Sequence, residues 1–119
     1  MKPSVHGGLT GLLSSIQDGG LRAGADRGQP RTGFAELFAR GGTEVGVWTS
    51  TPGGWSIDNR SDTEVVSIIS GRARITDAGG AATEVGPGDV FVLPAGWSGR
   101  WDILETVEKL YVTIEGEQS

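Results

Sequence analysis

The chain has 119 residues, a formal net charge of −5 and no cysteine. A chain of this length forms one domain, the lack of cysteine excludes disulfides and thiolate zinc sites, and the acidic balance argues against binding of nucleic acid. There is no apolar run near the roughly 18 residues of a membrane span and no signal-peptide pattern, so we expect a soluble cytoplasmic protein that does not contact a membrane. Glycine supplies 21 residues, well above the usual share of about 7%, which favours many short strands joined by turns.

Residues 1–40 are predicted to form an N-terminal arm. Apolar residues at helical spacing indicate a short helix over residues 9–16, with Thr10 as its cap. Residues 21–33 are rich in Gly, Arg and Asp and predict a loop that runs over the surface. Residues 34–38 fit both helical spacing and strand alternation, and we favour an edge strand.

Residues 41–116 are predicted to form a β-barrel. Runs rich in Val, Ile and Phe end at Gly or Pro, which is typical of buried strands separated by tight turns. From residue 44 onward there are about eight predicted strands, over residues 44–49, 55–57, 63–75 and 82–85, within the segment 86–97, and over residues 97–104 and 107–114. Many short strands at this spacing indicate an all-β sandwich or jelly roll.

Several short motifs follow one another in order along residues 44–113. They are Gly46-Val47-Trp48, Thr51-Pro52-Gly53, Glu64 followed by Gly71, Gly86-Pro87-Gly88-Asp89, Pro94-Ala95-Gly96 and residues 105–111. In this order and spacing the chain resembles a small single-domain cupin, of the subfamily close to ureidoglycine aminohydrolases and the ethanolamine-utilisation cupin. The resemblance implies an all-β cupin jelly roll, a β-sandwich or barrel with a short N-terminal arm. It does not imply one reaction, because a fold hosts many chemistries.

The resemblance also concerns a metal site. Metal-binding cupins carry His-x-His, a Glu and a Gly in one motif and a further His in a second motif. Glu64 and Gly71 match the end of the first motif, but residues 57–60 are Ile-Asp-Asn-Arg and Gly99 stands at the second-motif His. The sole histidine, His6, lies in the N-terminal arm, far in sequence from every motif. We therefore expect a barrel with no metal ligands and no cofactor.

Glu64 is a candidate catalytic residue. The resemblance implies that its side chain faces the barrel interior, where a carboxyl group would serve as a general acid or base. The alternative is a structural salt bridge to an arginine, and the candidates are Arg60, Arg72 and Arg100.

The tryptophans are candidate ligand-binding residues. Trp97 and Trp101 lie two residues to either side of Gly99, so strand alternation places both on one face with a gap between them. Two indoles around a gap would sandwich a planar or apolar ligand, and the alternative is that they only plug the barrel. Trp48 and Trp55 are predicted to line the same mouth, although Trp55 follows a Gly-Gly turn and would alternatively cover an edge.

Lys109 and Tyr111 alternate with Leu110 and Val112 on the last predicted strand. Because an apolar face normally packs on the core, the alternation predicts that Lys109 and Tyr111 point outward. The resemblance implies the opposite, a basic residue and a tyrosine in the pocket, so we keep both as candidate catalytic residues. Asp58 is a further candidate for ligand binding, and at most for a weak site for a hard cation.

These residues favour a metal-independent enzyme that acts on a small polar or aromatic metabolite. Isomerisation, cyclisation, lyase and deamination steps that need only proton transfer would suit them. The alternatives are a non-catalytic metabolite-binding module, an accessory subunit and a structural protein with a filled barrel. An open cavity beside Glu64 would favour ligand binding, and a packed interior would favour a structural role. We also expect a homodimer, because apolar residues on both faces of residues 65–69 exceed what one small barrel can cover.

Overall fold

The computed structural model describes residues 2, 3, 5 and 8–116, so His6 lies outside the described residues. In the described part of the chain, one helix, α1 (Leu9–Ser14), is followed by nine strands: β1 (Gln17–Leu21), β2 (Ala25–Arg27), β3 (Arg31–Arg40), β4 (Thr43–Ser50), β5 (Gly53–Ile57), β6 (Asp62–Asp77), β7 (Ala82–Val85), β8 (Val90–Leu93) and β9 (Gly99–Glu115). The helix begins after Gly8 with no side-chain cap, so Thr10 does not take its predicted role. No helix in these residues is long and apolar enough to cross a membrane.

Two long strands, β6 and β9, organise the sheet. They pair antiparallel along most of their length, with register shifts between Ile68 and Ala73. β9 also pairs with β4 and β5, while β6 also pairs with β7 and β8. Because bulges bend and twist the strands that contain them, the long pair curves and the sheet curls into a jelly roll, which confirms the predicted fold class. The two strands predicted over residues 97–104 and 107–114 are one continuous strand, β9.

The N-terminal segment adds strands to this sheet where a loop was predicted. Residues 21–33 contain β2 and the start of β3, and β1 and β2 pair antiparallel with β3 and β5. Asp18 on β1 accepts a hydrogen bond of 3.0 Å from the Arg31 guanidinium on β3. The loop prediction holds for residues 22–24 and 28–30 and was wrong for the strand residues, because pairing with an existing strand, rather than local propensity, orders them. The strand over residues 34–38 is confirmed within β3, and the division of the chain at residue 40 stays a prediction.

The hydrophobic core joins the two long strands to their neighbours. It is made of Trp55, Val66, Ile68, Ala73, Ile75, Val85, Leu93, Trp101, Ile103 and Val107. Each of these side chains is buried, so the core holds the curvature of the sheet through close packing. Trp55 and Trp101 also line the cavity described below, and the core therefore fixes one wall of that cavity.

The outer face of the sheet carries a row of apolar side chains, the outer apolar row. Across consecutive strands Phe38 pairs with Val45, Val45 with Val112, Val112 with Val65, and Val65 with Val92. Phe38 is 49% exposed and Val92 is 54% exposed. Cross-strand partners lie on the same face of a sheet, so these side chains form one continuous hydrophobic surface. Monomeric proteins rarely expose a large surface of this kind.

We expect a second copy of the chain to cover the outer apolar row and form the predicted homodimer. Val112→Glu places a charge at the centre of the row, and the protein should then sediment as a monomer at micromolar concentration. Leu21→Glu is the matched control, because Leu21 is 59% exposed but lies on β1, outside the row. A wild-type protein that sediments as a monomer at the same concentration would contradict the expectation.

Candidate functional site

An open cavity of about 460 Å³ is bounded by β3, β4, β5, β6 and β9. Its aromatic wall consists of Trp48, Trp55 and Trp101. The ring centroid of Trp48 lies 6.1 Å from that of Trp55 and 6.2 Å from that of Trp101, and both pairs pack edge to face. A cavity of this volume, with an aromatic wall and a few polar groups, is typical of small-molecule sites.

A buried ion pair lies against this wall. Lys109 Nζ donates a hydrogen bond of 2.7 Å to Glu64 Oε2, and the two residues are 6% and 5% exposed. The same ammonium lies 4.2 Å from the Trp48 ring centroid and 4.6 Å from that of Trp101, within range of cation–π attraction. Burial lowers the pKa of Lys109, and the attraction of Glu64 opposes part of that shift. Lys109 is therefore a lysine with reduced proton affinity beside an open cavity.

Arg60 is a second cationic partner of Glu64. Its Nη1 lies 3.3 Å from Glu64 Oε1, and its Nη2 lies 2.9 Å from Asp62 Oδ1. The predicted alternative, a salt bridge from Glu64 to an arginine, is thus present through Arg60. Arg72 and Arg100 pair with other carboxylates, those of Glu84 on β7 and of Asp102 and Asp26. Both oxygens of Glu64 have cationic partners, so Glu64 forms one charge cluster with Lys109 and Arg60.

Tyr111 forms a second polar pair in the cavity. Its hydroxyl donates a short hydrogen bond to the carboxylate of Glu44 on β4. Burial raises the pKa of Tyr111, and the hydrogen bond to Glu44 raises it further, so the phenol stays protonated at neutral pH. Gly46 makes room for this ring, since a Cβ there would lie 2.5 Å from the Tyr111 oxygen and 2.7 Å from the carbonyl oxygen of Ala35.

The two faces of β9 are the reverse of what alternation predicted. Lys109 and Tyr111 are buried and line the cavity, whereas Leu110 is 37% exposed and Ile114 is 45% exposed on the outer face. The prediction of an apolar inner face was wrong because the inner surface here bounds a polar cavity and the outer surface is apolar. The placement implied by the family resemblance agrees with the structure.

The predicted sandwich of Trp97 and Trp101 is absent from the described structure. The Trp97 indole fills the expected gap, because a Cβ at Gly99 would lie 2.7 Å from its Cη2 atom. Its Nε1–H donates a hydrogen bond of 2.9 Å to Asp77, and its ring borders a separate cavity of about 310 Å³ beside Phe91. Trp101 instead lies with Trp48 and Trp55 in the main cavity. Gly99 is therefore a packing position rather than an opening.

The described residues do not offer a set of ligands that fits the family's metal. Among the described residues at the family's ligand positions, Glu64 is the acidic side chain that lines the cavity, and its two oxygens are held by Lys109 and Arg60. A cation there would meet two positive charges, so the site does not fit a metal ion. Asp58 does not line the cavity; it is exposed, and its Oδ1 accepts a long hydrogen bond of 3.5 Å from Ser98. Its predicted role in ligand binding stays without structural support.

The cavity also contains residues that the sequence did not indicate. These are Arg22, Phe34, Glu44, Asp62 and Thr113, among others. Glu44 could have been found, because Glu44, Gly46 and Trp48 alternate onto one face of the strand predicted over residues 44–49. Arg22 could not, since it lies in a segment predicted as a surface loop and reaches the cavity only through tertiary folding.

A curled antiparallel sheet around an aromatic and polar cavity defines the chain as a jelly roll of the cupin type. More specifically, the chain belongs to the EutQ-like cupin domain family, whose profile matches residues 38–111, more than half of the chain. That segment contains Glu64, Lys109 and Tyr111 but not Arg22. No curated protein matches the chain.

Solved structures of distant sequence share this fold. A Pseudomonas syringae pv. tomato protein of unknown function is 22% identical, with a TM-score of 0.76 over 82% of this chain and 43% of that chain. A putative ethanolamine utilization protein Q of Salmonella typhimurium is 19% identical, with a TM-score of 0.67 over 82% of this chain and 79% of that one. The cupin domain of Schizosaccharomyces pombe Cnp3 is 18% identical, with a TM-score of 0.65 over 87% and 71%. This chain thus spans less than half of the Pseudomonas protein, and at these identities the likeness concerns the fold.

Proposed function

We propose that the protein is a metal-independent cupin enzyme that binds a small polar or aromatic metabolite and moves a proton within it. The observation that supports this proposal is the Lys109–Glu64 ion pair, which is buried and yet borders an open cavity. A purely structural ion pair needs no open space beside it, whereas an acid–base pair must reach its ligand. The indole of Trp48, which is only partly buried and lines the cavity beside Lys109, would hold a planar ligand within that reach.

Each polar residue has a role that its environment supports. The Lys109 ammonium, whose pKa burial lowers, first releases a proton to solvent or to a ligand atom, and the neutral amine then accepts a proton from an acidic C–H or N–H of the ligand. Glu64 stabilises the ammonium that results. The Tyr111 hydroxyl, whose one proton is donated to Glu44, accepts a hydrogen bond from an N–H or O–H group of the ligand. Return of the proton to a neighbouring atom completes an isomerisation or cyclisation, and its delivery to a departing group completes a lyase or deamination step.

The proton transfer can be measured before the product is known. Small aromatic and polar ketones and amides with an acidic C–H are first tested for binding by tryptophan fluorescence. The ligands that bind are then incubated with the protein in D₂O, and exchange of the C–H for deuterium is followed by NMR. The wild-type protein should accelerate exchange in at least one ligand. Lys109→Met should reduce that acceleration by roughly a hundredfold or more, the usual scale for loss of a general acid–base group.

Stability must be separated from catalysis in this experiment. The double variant Lys109→Met/Glu64→Gln removes both charges of the pair, so it should fold more stably than either single variant while remaining inactive. Glu84→Gln is the matched control, because Glu84 pairs with Arg72 and Arg74 on the surface, outside the cavity. If the wild-type protein binds ligands but accelerates hydrogen–deuterium exchange in none of them, the proposed enzymatic function is refuted and a binding module is favoured.

A non-catalytic binding module is the second candidate function. It is favoured by the complete satisfaction of the polar groups, since no buried side-chain nitrogen or oxygen in the described residues lacks a hydrogen-bond partner. A fully satisfied network is rigid, which suits recognition of a fixed ligand shape. The cavity of about 460 Å³ supports both candidates over a structural protein with a filled barrel.

A further inference from the structure

We propose that the ligand carries a carboxylate and that Arg22, from the N-terminal segment, binds this group. The inference rests on the proposed function, because it names the chemical class of the ligand in the same cavity. It also adds a binding residue that lies outside the family-matched residues 38–111.

Arg22 is held at the cavity by its backbone and by an aromatic ring. Its backbone N–H donates a hydrogen bond of 2.8 Å to the carbonyl of the buried Pro30. Pro30 packs against β5, where a Cβ at Gly53 would lie 2.5 Å from the Pro30 ring. The guanidinium of Arg22 lies 5.0 Å from the ring centroid of Trp55, in a cation–π arrangement. The side chain is therefore positioned over the aromatic wall before any ligand arrives.

The charges that line the cavity are unevenly paired. There are three cations and three anions: Arg22, Arg60, Lys109, Glu44, Asp62 and Glu64. Among the described residues Arg60 and Lys109 form salt bridges with Asp62 and Glu64, whereas Arg22 has no carboxylate within salt-bridge distance.

The Arg22 guanidinium retains most of its hydrogen-bonding capacity. Its one hydrogen bond within the described residues is that of 3.2 Å from Nη1 to the carbonyl of Ala23. A guanidinium has five N–H donors in a planar fork that matches the two oxygens of a carboxylate. Arg22 is thus the cation of the cavity that is available to an anionic ligand.

The carboxylate of Glu44, which also lines the cavity, favours a ligand with a single negative charge. Glu44 lines the cavity and accepts the Tyr111 hydrogen bond, and among the described residues no cation pairs with it. A phosphate monoester carries close to two negative charges at neutral pH, and Glu44 would repel the second. A carboxylate has one negative charge, which Arg22 balances, and the apolar or aromatic body of the ligand can rest on Trp48, the partly exposed tryptophan of the wall. The geometry therefore favours a monocarboxylate over a phosphate.

Three probes with the same ring and different charge test the proposal: benzoate, benzamide and phenylphosphate. Their binding to the wild-type protein and to Arg22→Gln is measured by titration calorimetry at fixed ionic strength. Benzoate should bind the wild type about tenfold or more tightly than benzamide does, and Arg22→Gln should remove this preference. The affinity for benzamide should be the same in both proteins. Arg40→Gln is the matched control, because Arg40 is exposed and lies outside the cavity.

Each other outcome has a defined meaning. Equal affinity of benzoate and benzamide for the wild type would overturn the carboxylate proposal and leave the proposed function standing. No binding of any of the three probes up to their solubility limits would overturn both. Tighter binding of phenylphosphate than of benzoate would overturn the choice of a carboxylate. A loss of benzoate affinity in Arg40→Gln as large as that in Arg22→Gln would show a general effect of charge and overturn the role of Arg22.

Discussion

Replacement of Glu64 by Gln should lower the free energy of unfolding by about 3–5 kcal/mol. The amide keeps the shape of the side chain but leaves the buried ammonium of Lys109 without its anionic partner. Arg60 would still pair with Asp62, so Lys109 is the group left uncompensated. Urea denaturation of the two proteins, with linear extrapolation to zero denaturant, measures this difference.

The double variant Glu64→Gln/Lys109→Met is the control for this prediction. Once neither charge is buried, most of the lost stability should return, because the cost lies in an unpaired charge rather than in the missing hydrogen bond. A double-mutant cycle with Lys109→Met gives the coupling free energy of the pair. A Glu64→Gln protein as stable as the wild type would mean that the ion pair does not form in solution.

Gly71→Ala should destabilise the protein by about 3–5 kcal/mol through two separate effects. Gly71 has φ of +85°, a conformation that disfavours any side chain. An added Cβ would also collide with the carbonyl of Thr106 and lie 2.8 Å from the Cα of Val107, both backbone atoms of β9. Gly71 lies where β6 and β9 shift register, so the collision would push the two strands apart at the point where the long strand pair bends. Thermal and urea denaturation measure the loss.

Gly80→Ala separates the two effects. Gly80 has φ of +94°, but a Cβ there would have no neighbour within 4 Å. Its replacement should therefore cost only the conformational strain, about 1–2 kcal/mol. If Gly71→Ala were no more destabilising than Gly80→Ala, the close approach of the β6 backbone to β9 at Gly71 would be refuted.

Most of the fold was predictable, because strands and turns depend on local sequence patterns and the family depends on the order of short motifs. Apolar runs that end at Gly or Pro located seven of the strands or parts of them, and the motif order from Gly46 to residues 105–111 indicated the cupin resemblance. The strands β1 and β2 were missed, since they contain few β-branched residues and exist by pairing with β3 and β5. The continuity of β9 was missed as well. Residues 104–107 belong to one strand because β6 pairs with β9 on both sides of the bend, and the local sequence does not show this pairing.

The site was predicted in part, and the successes and failures have different physical origins. Motif positions placed Glu64, Lys109 and Tyr111 at the interior, where alternation alone placed the last two outside. Alternation failed there because it assumes that the apolar face is the inner one, which holds for a packed core but not for a polar cavity. It also failed for Trp97, whose side chain folds back over Gly99 and bonds to Asp77.

The sequence by itself determined most of the strands, the turns between them, the family and the residue types available for chemistry, because these depend on local conformational preference and on motif spacing. Only the tertiary structure decided which charges meet. The pairing of Lys109 with Glu64 joins residues 45 positions apart, and Arg22 reaches Trp55 from a segment with no local signal of its role. Such contacts follow from the register of strands that are distant in sequence and from the burial that this register imposes, and neither quantity is encoded in a local pattern.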